Sequence, residues 1–561
     1  MVYALEIVAA VAALSSSGLA NAAPSYGNTK SFLTDINQIS QYWGQISPYT
    51  DNPDSFFGVD DVGLPDGCQI EQVHSLQRHA QRFPTSQFDD GSNTERFAAK
   101  VHNFTQANPS SKFTGGLNFL NTYEYIMGES YLTGLGANTE FASGVSFWNR
   151  YGRTLYNATK GQLQYNATFV NGTARPKPVL RTTSQSRIEN SQISWALGFF
   201  GSSYQQTPDP TLENFVNGSL FDVVIIPEGG QENNTLASYD SCLAEYATDA
   251  EGYMGDYDLV FQYLPLYLAD ATARMNLNAP HGFNFNVNDT YAMQMLCAYE
   301  NAYIQQSDFC NFFTEAEWDG FELTLDAQYY YDYSWGQPTG RAQGLGYQQE
   351  LIARLTNQLI MSSNSSVNST LTNNEKDFPL GRPFYADFTH DDIIISVLTS
   401  MSVDYFREHP NLHQFPPDPK RHFFLSHMTP FGARLTTEVV GCSSADPKAV
   451  HDHRTYYTPS QYGYDASNAP HKFLRMRLNS GIVPLNTIRT GECEGRTDGL
   501  CAMDKFLASQ EKAVKLANYD FACFGNYTIT NPFNENDYDG TVAEDTPGIV
   551  VYPGQLKPTA A

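Results

Sequence analysis

The apolar positions fall into two periods along the chain, short threads and longer stretches with a three-to-four-residue repeat. Ile70, Val73 and Leu76 thread Gln69–Thr85, QIEQVHSLQRHAQRFPT, which reads as a short strand running into a basic turn. Pro84 closes it, because proline cannot donate to a ladder. Asn93–Asn108 reads as helix with Phe97, Val101 and Phe104 on one face, and Ser143–Leu155 sets Val145, Trp148 and Tyr151 at helical spacing. Lys177–Thr183 is strand-like, and Arg187–Phe200 is helical with Ile188, Ile193, Ala196 and Leu197 inward. Phe221–Ile226, FDVVII, is an unbroken apolar run, the mark of a buried strand. Gln343–Leu359 returns to an amphipathic helix through Leu345, Leu351, Ile352, Leu355 and Leu359. Tyr385–Met401, YADFTHDDIIISVLTSM, repeats the first layout: a strand, then ionisable residues, then an apolar helix.

This succession predicts an α/β fold, a three-layer α/β/α core carrying an inserted, mainly helical subdomain. The expected organisation is a leader at 1–22, an extended arm at 23–67, a core built from 68–228 and 326–525, a helical subdomain at 229–325, and an acidic, poorly ordered tail at 526–561. Ser362–Asn374 is a polar low-complexity loop, and the Pro/His-rich 405–421 reads as a surface insertion. There is no internal repeat.

Composition adds the compartment. With 60 Asp+Glu against 33 Lys+Arg the net charge is −27, which excludes a nucleic-acid partner. The apolar run Ile7–Leu14 followed by Ala20-Asn21-Ala22 has the form of a secretory signal and is too short for a membrane span. Eight cysteines, without a CxxC pair, suit disulfides in an oxidising compartment. Asn-x-Ser/Thr acceptors at Asn103, Asn157, Asn166, Asn171, Asn217, Asn233, Asn288, Asn364, Asn368 and Asn526 predict N-linked glycans. The expectation is a secreted, extracellular or wall-bound glycoprotein with no membrane partner.

Two stretches carry candidate chemistry. Arg78, His79 and Arg82 fall within five residues at a strand end, where open α/β sheets bind ligands. Guanidiniums match phosphate oxygens bidentately, so this turn is either a phosphate pocket or a surface basic patch. His390-Asp391 follows the second strand; there Thr389 or Asp391 serves equally well as a helix cap. His74 lies within the first strand and reads as a packed histidine, and His451 and His453 sit in a Pro/Tyr-rich loop that does not suit a metal.

Arg78-His79-Ala80-Gln81-Arg82-Phe83-Pro84 together with His390-Asp391 resembles the histidine acid phosphatases, whose pattern is R-H-G-x-R-x-P with a later H-D, and within them the secreted fungal-type phytases. The likeness extends through LNFLNTYEY (117–125), RTTSQSRIENS (181–191), GYQQELIARLT and TPFGARLTTEVVGC (429–442), over most of residues 68–525. It implies bridges Cys68–Cys442, Cys242–Cys523, Cys297–Cys310 and Cys493–Cys501. It implies hydrolysis of phosphomonoesters through a phosphohistidine, with His79 as nucleophile, Asp391 as proton donor, and Arg78, Arg82, Arg187 and His390 holding the phosphate. Arg187 is chosen over Arg181, which reads as structural. Thr85, Glu228 and Asp392 are pocket candidates. No metal or organic cofactor is implied, and no HExxH, P-loop or DxDxDG pattern occurs.

The chain departs from the family at several positions. Ala80 replaces glycine, at a cost of ~1 kcal/mol or more if the site needs a positive φ and at none otherwise. Asp392 replaces the usual Asn, Phe88 stands where a lysine is often found, and Ala327-Gln328 replace a lysine pair. A secreted acid phosphatase for simple phosphomonoesters is therefore expected. The alternatives are a dedicated phytase acting on inositol hexakisphosphate and a catalytically weak secreted glycoprotein with a binding or wall role.

Overall fold

The computed structural model of the chain describes residues 31–86, 88–169, 171–205, 220–229, 232–246, 260–453, 463–529 and 538–556. The leader at 1–22, the acceptor Asn217 and the Phe88 side chain lie outside the described residues. The fold is mixed α/β, with an open sheet between helical layers and further helices on one side. In chain order the strands are β1 (Cys68–Arg78), β2 (Val179–Thr183), β3 (Asp222–Ile226), β4 (Phe384–Thr389), β5 (Arg434–Cys442), β6 (His471–Leu478), β7 (Gly481–Ile482) and β8 (Cys501–Ala502), followed by β9 (Gly525–Ile529) and β10 (Ile549–Gln555). The main sheet runs β3-β2-β4-β1-β5-β6-β7, with β8 beside β6.

β1, β2, β3 and β4 are parallel, so Arg78, Thr183, Ile226 and Thr389 finish at one edge. β5 runs antiparallel to β1, β6 runs antiparallel to β5, and together they supply the far half of the sheet. Alternation along β4 divides the two faces. Phe384, Ala386 and Phe388 join Val73, Leu180, Phe147, Trp195 and Phe199 in one apolar body. The helix Ser186–Phe200 therefore presents Ile188, Trp195, Ala196 and Phe199 to the sheet, whereas Ile193 and Leu197, expected inward, are half-buried. Aromatic contact decides this rotation: the Trp195 ring lies 5.8 Å from Phe384 and 5.7 Å from Phe388.

On the opposite face of β4, the fully buried Asp387 is held by Arg181 at 2.8 Å and Arg354 at 2.6 Å, and Arg181 also reaches Glu350 at 2.8 Å. Arg354 and Glu350 come from the helix Gly340–Thr356, which packs beside the helix Asp391–Ser400. His74 stacks on Tyr385 at 4.7 Å, and burial, then Arg354, lowers its pKa to about 3.

The helices Val260–Asn276, Val287–Ile304 and Glu315–Tyr333 pack on one another, the last running continuously through residue 325. Capping boxes at Asn286/Asp289 and Thr314/Glu317 start the second and third. Among the described residues no helix is long and apolar enough to cross a membrane.

Three expectations are corrected. β3 is mostly half-buried because it is the sheet's edge strand, covered on one side only. The tail is structured where it is described: β9 and β10 pair antiparallel, Tyr527 is buried, and Asp539 binds Arg489 at 2.6 Å. The segment 405–421 buries Phe406 and ends on a buried Arg421, which pairs with Asp319 at 2.8 Å. Four disulfides join Cys68–Cys442, Cys242–Cys523, Cys297–Cys310 and Cys493–Cys501, the pairing the resemblance implied.

Candidate active site

β1 and β4 are neighbours in the sheet, with Arg78 beside Thr389, so the two ionisable turns begin side by side although some three hundred positions separate them. The His79 N–H donates to the Thr389 carbonyl at 3.1 Å, and the Gly432 N–H to the His79 carbonyl at 2.9 Å. Gly432 sits at φ +73°, a conformation that favours glycine, and even a Cβ there would meet the Ala80 methyl only at an ordinary 3.7 Å. Ala80 is not among the residues with positive φ, so alanine is accommodated there without backbone strain.

His79 is fully buried, and its Nδ1 lies 2.8 Å from the Ala80 carbonyl. That contact requires Nδ1 to carry the proton, which leaves the Nε2 lone pair free; Nε2 has no partner. Burial, then Arg78, Arg187, Arg82 and His390, drives the ring's pKa well below the ordinary histidine value. The imidazole stays neutral in mild acid, the state a nucleophile needs.

Three guanidiniums surround it. Arg78 pairs with Asp391 at 2.6 Å, donates to the Gln45 carbonyl and to the Thr429 carbonyl at 2.7 Å, and stacks over Phe431. Arg82 is fixed by Asp90 at 3.0 Å and by the Tyr299 hydroxyl at 3.4 Å, and its Nε is unpartnered. Arg187, from the first turn of the helix Ser186–Phe200, reaches within 3.5 Å of His390 Nδ1, with its Nε also free. The His390 ring stands 5.9 Å from that of His79. Its Nε2 faces Glu228 at 3.3 Å and the Tyr239 hydroxyl at 3.0 Å. Glu228 also accepts from Thr183 and Tyr239; burial raises its carboxyl, but His390 and these hydroxyls bring it down to about 2. Arg181 lies under the sheet with Asp387 and takes no part.

His390 is the N-cap of the helix Asp391–Ser400 but makes no side-chain capping bond, so the carboxylates beyond it have other partners. Asp391 forms an ion pair with Arg78 and, at 2.8 Å, accepts from the Tyr329 hydroxyl. Burial pushes its carboxyl up, but Arg78, then Arg82, Tyr329 and His390, outweigh burial and hold it below the ordinary value. Asp392, equally buried, has no cation within pairing distance among the described residues, and its Oδ2 is unpartnered. Burial and the charge of Asp391 push it well above the ordinary carboxylate range, which favours the neutral acid where the sequence suggested an added charge. Thr85 bonds Asp90 through both its N–H at 2.9 Å and its hydroxyl at 2.6 Å, so it buttresses the carboxylate that fixes Arg82.

Asp90, Tyr239, Tyr299, Tyr329 and the Gln45 carbonyl were not anticipated. Each acts by tertiary placement, and only Asp90, a few residues past the motif, had a local cue. His451 and His453 are exposed, and among the described residues no group of three or more His, Cys, Asp or Glu side chains could hold a metal.

Residues 69–457 match the histidine phosphatase superfamily (branch 2). Phytase A of Aspergillus fumigatus is 29% identical over 493 residues, covering 85% of this chain and 95% of that protein. A Phytase A of Aspergillus terreus is 31% identical over 415 residues, 72% and 80% of the two chains. The crystal structure of the phytase from D. castellii superposes with a TM-score of 0.61 at 20% identity, over 86% of this chain and 87% of that one, a likeness of fold.

Proposed function

The chain belongs to the histidine phosphatase superfamily (branch 2) and is a hydrolase related to phytases, and from that premise we propose that it is a secreted acid phosphatase working through a phosphohistidine. The observation that carries this reading is His79 Nε2, buried, neutral and unpartnered among Arg78, Arg82, Arg187 and His390. In the proposed reaction Nε2 attacks phosphorus while the three guanidiniums and His390 hold the equatorial oxygens. Asp391 gives its proton to the leaving oxygen, and water then displaces phosphate from His79. Asp391 pairs with Arg78 as an anion; an incoming phosphate competes for Arg78, and its charge raises the Asp391 carboxyl until it takes up a proton. That coupling favours acidic pH.

Export is supported by the four disulfides and by the acceptor asparagines, none of which is buried among the nine described.

Simple phosphomonoesters are the proposed substrates. Around the phosphate seat stand carboxylates and tyrosines, and Ala327-Gln328 occupy the helix turn before Tyr329. The names of the relatives favour the second reading, a dedicated phytase. Comparison of kcat/KM on p-nitrophenyl phosphate and on phytate decides between them. The aryl ester is expected to be the better substrate, and a clear preference for phytate would transfer the conclusion to the second reading.

Asp392 sets a further expectation. Ionised, it would repel a phosphate dianion; neutral, it does not. Its raised carboxyl means that wild-type KM climbs as pH rises through the Asp392 titration, whereas Asp392→Asn keeps a flatter KM and matches the wild type in acid. Parallel KM profiles for the two proteins from pH 3 to 8 would rule this role out.

A further inference from the structure

At the edge of the sheet opposite the catalytic turns, where β2, β3 and β4 begin, three buried side chains hold polar atoms without partners. They are Tyr156 and Tyr165, each 1% exposed, and Arg175, 6% exposed. Tyr156 Oη, Tyr165 Oη, and Arg175 Nε and Nη1 make no hydrogen bond. The two phenol rings meet edge to face at 4.9 Å. Arg175 closes the loop that leaves Tyr165: its N–H donates to the Ala167 carbonyl at 2.8 Å, and its guanidinium lies 4.7 Å over the Phe169 ring. Both phenols lie in the field of Arg175 and of Arg382, which oppose the effect of burial on each. The hairpin contact sets Arg175 opposite Ala167, two residues from Tyr165, and the Tyr165 ring meets that of Tyr156, so the three residues are neighbours.

What is missing there is negative charge. Arg175 has no carboxylate within pairing distance among the described residues. The nearby Asp222 is already taken by Arg382 at 3.0 Å and Lys177 at 3.8 Å. Arg175 is thus left without a carboxylate of its own among the described residues, in a chain whose net charge is −27. A buried guanidinium is costly without a counter-charge. A guanidinium only donates, so whatever completes the cluster must accept hydrogen bonds; water would do that but would not neutralise the charge.

We propose that Tyr156, Tyr165 and Arg175 form a second anion site, distinct from the catalytic one, for a small tetrahedral oxyanion of the phosphate or sulfate class. The anion would receive the guanidinium edge of Arg175 and the two phenol hydroxyls, and would tie the 165–175 loop to the start of β2.

Inorganic sulfate is the probe, titrated calorimetrically into the full-length protein at constant ionic strength. Arg175→Gln is expected to bind one sulfate fewer per chain than the wild type, with unchanged phosphatase turnover and an unchanged constant for competitive inhibition by sulfate. Tyr165→Phe, which removes one hydroxyl and keeps the ring, is expected to weaken the same site about tenfold, and it carries the test if Arg175→Gln does not fold. An equal sulfate count in wild type and Arg175→Gln, or an undiminished affinity in Tyr165→Phe, would overturn the proposal. The titration does not depend on turnover, so an inactive wild type would refute the catalytic reading while leaving this one to stand or fall on the count.

Discussion

Replacing His79 with alanine is expected to lower kcat/KM on p-nitrophenyl phosphate by about 10⁴-fold or more, the scale seen when a covalent nucleophile is removed. The magnitude follows from how little else in the site can do its work. His390, the other imidazole of the site, has both nitrogens engaged, Nε2 by Glu228 and Tyr239 and Nδ1 toward Arg187. Among the described residues the His79 ring makes one hydrogen bond, with its own chain neighbour, the Ala80 carbonyl, so its loss leaves β1 and the guanidiniums in place. The variant should therefore fold normally and retain affinity for inorganic phosphate as a competitive ligand. Activity within tenfold of wild type in the folded variant would dismiss His79 as nucleophile.

The second large effect is on stability. Asp387→Ala is expected to destabilise the protein by about 3–5 kcal/mol, because it leaves buried charge unpaired. Arg181 and Arg354 are both almost wholly buried, and both direct their guanidiniums at Asp387; Arg181 keeps Glu350, but Arg354 has no other carboxylate in contact among the described residues. Burial alone would raise the Asp387 carboxyl, but Arg181 and Arg354 outweigh it and hold it far below the ordinary range. A carboxyl depressed in the folded state contributes stability above its unfolded pKa and loses it only as pH falls through the folded value. The contribution is thus intact throughout the mildly acidic range in which the enzyme is proposed to work. Denaturant unfolding at pH 5 measures it, and a loss under 1 kcal/mol would mean that the two arginines find other partners.

The strand-and-turn pairs were legible because they rest on local pattern. The apolar thread before His79 is a strand and the apolar run after Asp392 is a helix, although β1 stops at Arg78, six residues short of the Pro84 that the sequence offered as its end. The face of a helix was less legible where aromatic and aliphatic residues compete. Ile193 and Leu197 carry the right period, but Trp195 and Phe199 fill the space against Phe384. Periodicity also says nothing about which strand lies at an edge, so β3 looked buried on both faces. The protonation of Asp392 could not be read from a chain in which it is simply one acid after another; it follows from burial without a cation. Tyr239, Tyr299 and Tyr329 serve the site from three other segments of the chain, and no spacing relates them to the motifs.

The central claim is that one tetrahedral anion is enclosed by His79, Arg78, Arg82, Arg187 and His390, with Asp391 beside the leaving group. A crystal structure of the protein with orthovanadate tests it most directly. The account predicts vanadium bonded to His79 Nε2, its equatorial oxygens on the three guanidiniums, and an apical oxygen facing Asp391. Vanadate bound away from His79, or held without contact to Arg187 and His390, would contradict it.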